Sequence, residues 1–329
     1  MKRTLVFNLS SSDITIYDLR KNKVIREKNY LAYQLDYDYS YIQLFDRRLL
    51  TFGDDAYEYF ERNPKDVEVV RNIVNEKIVK PEEQALFLQK IMEKYDLLRG
   101  LSAPEGYLLI SETTDGFNRY NYLKSLNLKS HRVIYIEDVL LSIPEIRASK
   151  GALIIYPGHE SSFMMTVAGG DCIFLKKIDF NLEKLDETVC QYIKHHFKVM
   201  VSLKTTRRMR KELGLISVSG EEIVLPAVEI GSGLPIEIKL RDTLLQKIYE
   251  DSILQLITDI HSMLRRLPME MNRSVLASPI YFCGQAVDDA SLMDIIAKRF
   301  RTDYQLIDLD EVLLTADAKT IAEWSKKHA

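Results

Sequence analysis

The sequence predicts an α/β protein made of two similar lobes around a cleft, and three observations carry that prediction. The chain has 329 residues, long for one hydrophobic core and comfortable for two. Short apolar runs alternate with helix-period stretches along most of it. A hairpin-led start followed by further strands and helices occurs twice, at residue 4 and again at residue 152, as an internal repeat would require.

The first lobe opens with Thr4–Leu9, turns through Ser10-Ser11-Ser12-Asp13, and continues in Ile14–Tyr17 and Val24-Ile25, the pattern of strands joined by polar turns. The tyrosines between Tyr30 and Tyr41 read as an amphipathic β segment rather than an aromatic binding surface. A short helix follows over Asp54–Arg62. A second starts at Pro81, a residue suited to a first helical position, and runs to about Asp96 with Ala85, Leu88, Met92 and Tyr95 on its apolar face. Tyr107–Ile110 and Val133–Ile136 flank a helical stretch over Gly116–Leu126 and form a βαβ unit.

In the second lobe, Ala152–Ile155, Phe163–Val167 and Cys172–Leu175 read as strands, the last two joined at Ala168-Gly169-Gly170-Asp171. Asn181 caps a helix whose apolar face is Leu182, Leu185, Val189, Tyr192 and Ile193. Strands near Ile223–Ile230 and Ile236–Leu240 precede a long helix from about Arg241 to Leu267, stopped by Pro268. Pro279–Phe282 is a strand, and a helix then runs to Phe300. The expected division is residues 1–145 with 302–329 packing back, and residues 146–301 with 182–240 as a smaller subdomain.

Hydrophobic residues at 46% and charged residues at 28% exclude long disorder, collagen and coiled coil. Lys plus Arg is 45 against Asp plus Glu 48, a net charge of -3, so no nucleic-acid partner is expected. Cys172, Cys190 and Cys283 lack C-x-x-C spacing and read as reduced cytosolic thiols rather than a disulfide frame or zinc site. The start has too short an apolar run for a signal peptide, and no segment approaches the roughly 20 apolar residues of a membrane span. The expectation is a soluble intracellular protein. Only 13 glycines occur, few for a chain whose turns would cradle phosphates.

Several tempting residues have plainer readings. His159-Glu160 begins like H-E-x-x-H, but residue 163 is phenylalanine and the context is a hairpin, so no metal is expected. His195-His196 reads as a solvated pair. Lys204, Arg207, Arg208, Arg210 and Lys211 read as an exposed basic helix face. Trp324 reads as a packing anchor of a terminal helix.

Gly170–Gly214, with its Gly-Gly hairpin, strand, Leu185-Asp186-Glu187 helix and second helix from Thr205 to Gly214, resembles the bacterial actin MreB. So do Gly233-Leu234-Pro235 with Ile236-Glu237-Ile238, and Phe52-Gly53-Asp54-Asp55-Ala56 with Arg62-Asn63-Pro64. The resemblance spans nearly the whole chain and implies the actin-like fold, two α/β lobes of four subdomains around a central cleft. In that family two hairpin tips hold the phosphates of ATP, with carboxylates positioning Mg²⁺ and water.

At those tips this sequence departs from the family. The family's first loop, D-x-G-T-A-N, is here Asn8-Leu9-Ser10-Ser11-Ser12-Asp13. Its second loop, D-I-G-G-G-T-T-E, is Ile155-Tyr156-Pro157-Gly158-His159-Glu160-Ser161-Ser162. The adenosine loop T-G-G-G-A is Phe282-Cys283-Gly284-Gln285-Ala286, and a glutamate and a lysine near the nucleoside correspond to Arg207 and Arg210. Asp138 matches the catalytic glutamate. The positions matching nucleotide motifs are therefore Ser10, Ser11, Ser12, Gly158, Arg210 and Gly284.

The losses of charge at Asn8 and Ile155 point to a pseudo-ATPase with no cofactor, while the resemblance leaves ATP and Mg²⁺ open. The implied role is cytoskeletal or scaffolding, by self-association into head-to-tail filaments or by docking a protein partner. The alternatives are an ATP-hydrolysing filament protein involved in cell shape and a non-polymerising adaptor of a membrane-associated machine. The implied location is the cytoplasm, with peripheral contact at the inner face of the membrane left open.

Overall fold

The computed structural model describes residues 3–38, 43–62, 66–74, 76–98, 103–158, 162–213, 222–284 and 290–326. The chain divides into two units, Met1–Leu140 with Leu309–Ala329, and Leu141–Asp308. Each is described by itself.

The first unit contains β1 (Thr4–Leu9), β2 (Asp13–Asp18), β3 (Lys23–Lys28), β4 (Leu31–Asp38), β5 (Gln43–Phe52), α1 (Asp54–Arg62), β6 (Val67–Val70), β7 (Ile73–Val74) and β8 (Lys77–Ile78). It continues with α2 (Pro81–Lys94), β9 (Glu105–Ile110), α3 (Gly116–Leu126), β10 (His131–Tyr135) and α4 (Ile136–Leu141). Its main sheet has the order β10-β9-β1-β2-β3. β1 is central there, antiparallel to β2 and parallel to β9, and β9 is parallel to β10. Covered on both faces, β1 buries Leu5, Val6 and Phe7 in succession, as a two-sided strand should.

β4 carries Tyr33 and Tyr37 of the tyrosine stripe, and Tyr30 directly precedes it. Tyr30 packs on Tyr57 and Phe60 with ring centroids 5.1 and 5.0 Å away. The Tyr33 ring lies 3.7 Å from the Arg47 guanidinium carbon, and burial pushes its hydroxyl pKa up to about 12. Tyr39 and Tyr41 lie outside the described residues. In α2 the buried stripe is Gln84, Phe87, Leu88, Ile91 and Met92. It is rotated from the expected Ala85–Tyr95 line because Phe87 and Ile91 supply more apolar area than Ala85.

The second unit contains α5 (Pro144–Arg147), β11 (Ala152–Tyr156), β12 (Ser162–Ala168), β13 (Asp171–Ile178), α6 (Leu182–Phe197), β14 (Val199–Met200), α7 (Leu203–Leu213), β15 (Glu222–Glu229) and β16 (Pro235–Arg241). Then follow α8 (Asp242–Leu264), α9 (Met269–Leu276), β17 (Ile280–Cys283), α10 (Ala290–Phe300) and β18 (Tyr304–Ile307). The sheet order is β13-β12-β11-β17-β18, with a smaller sheet β14-β15-β16. One apolar core joins both, from Leu153 and Ile155 through Val189 and Leu225 to Leu256 and Phe282. Asn181 caps α6 by accepting from the Lys184 amide at 2.6 Å.

Three boundaries differ from the sequence reading, the first being that the opening segment of the first unit ends at Leu140 and not at residue 145. The long helix ends at Leu264, and Pro268 precedes the first residue of α9 instead of stopping α8. The amides of Arg266 and Leu267 fold back onto Met263 and Leu264 carbonyls, closing the helix before the proline is reached. Residues 302–308 belong to the second unit, since β18 extends its sheet along β17 and Thr302 Oγ1 donates to the Ser278 carbonyl at 2.9 Å. The return to the first unit begins with α11 (Leu309–Thr315) and α12 (Ala318–Trp324). There Tyr17 donates to Asp310 at 2.7 Å, Arg26 pairs with the same carboxylate, and Trp324 is buried.

Candidate functional site

In the first unit, β1, β9 and β10 run parallel, so their carboxyl ends reach one edge of the sheet. Ligands of open α/β sheets gather outside such edges. The segments there are Ser10–Ser12, Ser111–Asp115 and the start of α4.

The β1–β2 tip is closed upon itself. Ser10 Oγ donates to the Asp13 carbonyl at 2.8 Å and accepts from the Asp13 amide at 3.1 Å, while the Ser10 amide donates to Asp13 O at 3.0 Å. Ser10 and Ser12 hydroxyl oxygens lie 3.2 Å apart. Buried Asn29 holds the tip from below: its side-chain amide donates to Ser11 O at 3.1 Å and its backbone amide to Ser12 O at 3.0 Å. Asn8 is half-buried in β1 and pairs with Thr15 and Leu109.

At the neighbouring strand ends Glu137 is the prominent group. It accepts from Ser111 Oγ at 2.5 Å and from the Glu112 amide at 3.0 Å, bridging the ends of β9 and β10. Burial lifts its carboxyl pKa from the usual range to about 7, against the opposing pull of those hydrogen bonds. Such a group exchanges its proton near neutrality, as a general acid or base must. Asp138, the catalytic candidate of the sequence reading, is buried beside it in the same turn. Sequence reasoning passed over Glu137 and Ser111, although Ser111 stands directly after β9 and Glu137 two residues after the end of β10.

In the second unit the parallel strands β11 and β17 present Pro157-Gly158 and Gly284 at their carboxyl ends. The Gly158 amide donates to Ser162 Oγ at 2.9 Å, and its carbonyl accepts from the Leu182 amide at 3.4 Å. Ile155 is fully buried in the core. Gly284 has φ +96°, and a Cβ there would stand 2.8 Å from the Tyr156 ring; both the backbone and the ring require glycine. Tyr156 in turn stacks on Phe163, centroids 4.9 Å apart with rings 4° from parallel. His159, Glu160, Gln285 and Ala286 lie outside the described residues.

Arg210 corrects the reading of α7 as an exposed basic face. It is 1% exposed, and its Nε donates to Asp186 Oδ1 on α6 at 2.9 Å, with Nη2 at 3.3 Å from Oδ2. Arg207 Nε lies 3.7 Å from the same carboxylate and is half-buried. The pairing follows from burial, since a guanidinium leaves water only with an anion to meet it. Lys204 and Arg208 are exposed, as are His195 and His196. Among the described residues no group of three or more His, Cys, Asp or Glu side chains could hold a metal ion. No described helix is long and apolar enough to cross a membrane.

Two α/β units, each led by an antiparallel hairpin and completed by parallel strands, define the actin-like fold, and solved structures share it. MreB5 of Spiroplasma citri bound to AMPPNP superposes with a TM-score of 0.78 at 17% identity, covering 99% of this chain and 95% of that one. The MamK double helical filament gives 0.70 at 13% identity, covering 98% and 99%. The family model described as MreB/Mbl protein matches residues 2–315, and the chain belongs to that family. The cell shape-determining protein Mbl of Bacillus subtilis (strain 168) is 19% identical over 290 residues, 86% of this chain and 84% of that protein.

Proposed function

We propose that this MreB/Mbl-type protein is a cytoskeletal or scaffolding element in cell shape determination that acts by assembly or partner docking and not by ATP turnover. The observation that carries this reading is the state of the two phosphate-tip loops. Asn8 and Ile155 supply no carboxylate, Ser10 is bonded back onto Asp13, and the Gly158 amide is bonded to Ser162. Phosphoryl transfer depends on donors and metal-positioning charges that are free to meet the phosphates. These tips do not fit ATP and Mg²⁺, and Tyr156 lies over Gly284, the glycine matching the adenosine loop. Assembly is supported by kinship: MamK is seen as a double helical filament, and the Mbl relative is a cell shape-determining protein. The proposed location is the bacterial cytoplasm, including the inner face of the membrane.

The second reading is an ATP-hydrolysing filament. It is favoured by the MreB5 structures holding AMPPNP and ADP and by the proton-active Glu137. Electron microscopy of the purified chain with and without ATP, alongside a thermal shift with ATP and Mg²⁺, separates the two. The first reading expects filaments, or a stable partner complex, that ignore nucleotide, and an unmoved midpoint. Phosphate release well above background, abolished by Asp138→Asn or Glu137→Gln, establishes the second.

A further inference from the structure

Away from the strand ends, the second unit has a recess of about 590 Å³ lined by Thr258, His261, Ser262, Arg265, Arg266 and Arg299. Its size falls within the span of small-ligand pockets, roughly 300–1,000 Å³. Three guanidinium groups and an imidazole border it, and among the described residues no carboxylate does. That is unusual in a chain with more acidic than basic residues. The nearby acid of α8, Asp259, is already paired with Lys176 at 2.6 Å.

A plainer account would have these arginines offset the negative end of α8, as basic residues at helix ends often do. The local hydrogen bonds argue against it. The His261 carbonyl accepts from the Arg265 amide at 3.0 Å and the Met263 carbonyl from the Arg266 amide at 3.0 Å. The Leu264 carbonyl accepts from the Leu267 amide at 3.2 Å and from the Asn272 side chain at 2.8 Å. Three of these carbonyls are thus met by amides without calling on the guanidinium groups, which are exposed. Among the described residues none of Arg265, Arg266 and Arg299 forms an ion pair. The Arg266 guanidinium lies 5.8 Å from the Phe174 ring centroid, and His261 packs on Phe300 at 4.8 Å. Those contacts orient the two groups without neutralising them.

We propose that this recess binds a phosphoryl group, carried either by a free phosphate compound or by a phospholipid headgroup. Arginine's planar fork matches phosphate oxygens in pairs, and phosphoryl oxygens accept enough hydrogen bonds to meet more than one fork. The site is independent of the strand-end loops and of the nucleotide question.

Titration of the purified full chain with inorganic tripolyphosphate, and flotation with phosphatidylglycerol against phosphatidylcholine vesicles, tests it. The expected result is saturable binding that weakens with salt and falls at least tenfold in Arg265→Ala/Arg299→Ala. The control Lys247→Ala/Arg273→Ala, which removes equal charge from exposed positions of the same unit, retains it. Arg265→Lys/Arg299→Lys keeps the charge and loses the forks, so it binds more weakly than wild type. Tripolyphosphate binding identifies the soluble source, and binding to phosphatidylglycerol vesicles alone identifies the lipid source. Absence of both, equal loss in the control, or polyglutamate binding as tightly as tripolyphosphate overturns the proposal, the last in favour of an acidic protein segment.

Discussion

The Gly158 amide and the Ser162 hydroxyl oxygen form a 2.9 Å hydrogen bond that closes the loop after β11. Ser162 is fully buried, so this amide has been taken from solvent and given a protein acceptor. Ser162→Ala removes the acceptor and leaves a buried donor unmet, which costs ~1–3 kcal/mol. Urea denaturation of the variant should show that loss, and ATP with Mg²⁺ should not restore it. Full recovery with ATP would mean that the amide serves a phosphate instead.

Glu137 gives the protein a distinctive pH response. Its folded carboxyl titrates near 7, above the ordinary 4.5, so the folded state holds this proton more tightly than the unfolded state. Stability from this group is complete below about pH 4.5 and is lost as pH rises through 7, by about 3 kcal/mol in all. Glu137→Gln should remain nearly flat across that window relative to wild type. Midpoints measured at pH 5 and pH 7.5 for both proteins check the difference.

The buried pair of Asp186 and Arg210 ties α6 to α7. Arg210→Met strands the Asp186 charge beside a half-buried Arg207 and should cost about 3–5 kcal/mol. Asp186→Leu combined with Arg210→Met removes both charges and should recover most of the loss. A double-mutant cycle in urea measures the coupling, and simple additivity of the two single changes would rule it out.

Gly53 stands against a buried carboxylate. Its φ is +69°, and a Cβ would fall 2.0 Å from Glu27 Oε2. Glu27 itself accepts from Lys94 Nζ at 2.5 Å, Tyr95 OH at 2.7 Å and the Asp54 amide at 3.2 Å. Gly53→Ala should therefore destabilise the first unit by ~2 kcal/mol or more, through backbone strain and displacement of Glu27. Calorimetry of the variant tests this, and an unchanged midpoint would contradict the geometry.

The order of elements was readable because it rests on local signals. Ser10–Asp13 and Gly169-Gly170 are turn sequences between apolar runs, Pro81 and Asn181 open helices, and the repeat at residue 152 marks the second unit. The motif positions Ser10, Gly158 and Gly284 were readable by resemblance. Their surroundings were not: Asn29 beneath Ser11 and Ser12, Ser162 on the Gly158 amide and the Tyr156 ring against Gly284 are set by loop closure and strand pairing.

What the sequence by itself determined is the α/β character, the repeat, the turns and the loss of carboxylates at Asn8 and Ile155, all properties of residue type and spacing. Only the tertiary structure decided the rest. Arg210 and Arg208 are alike in sequence, yet one is buried on Asp186 and the other exposed, because charge pattern along α7 says nothing of which face meets α6. Glu137 is one acid among many in the sequence, and only desolvation in the packed unit raises its carboxyl to about 7, against the pull of the hydrogen bonds from Ser111 and the Glu112 amide. Electrostatic character comes from desolvation and from partners distant in the chain, and both arise only when the packed elements bring them together.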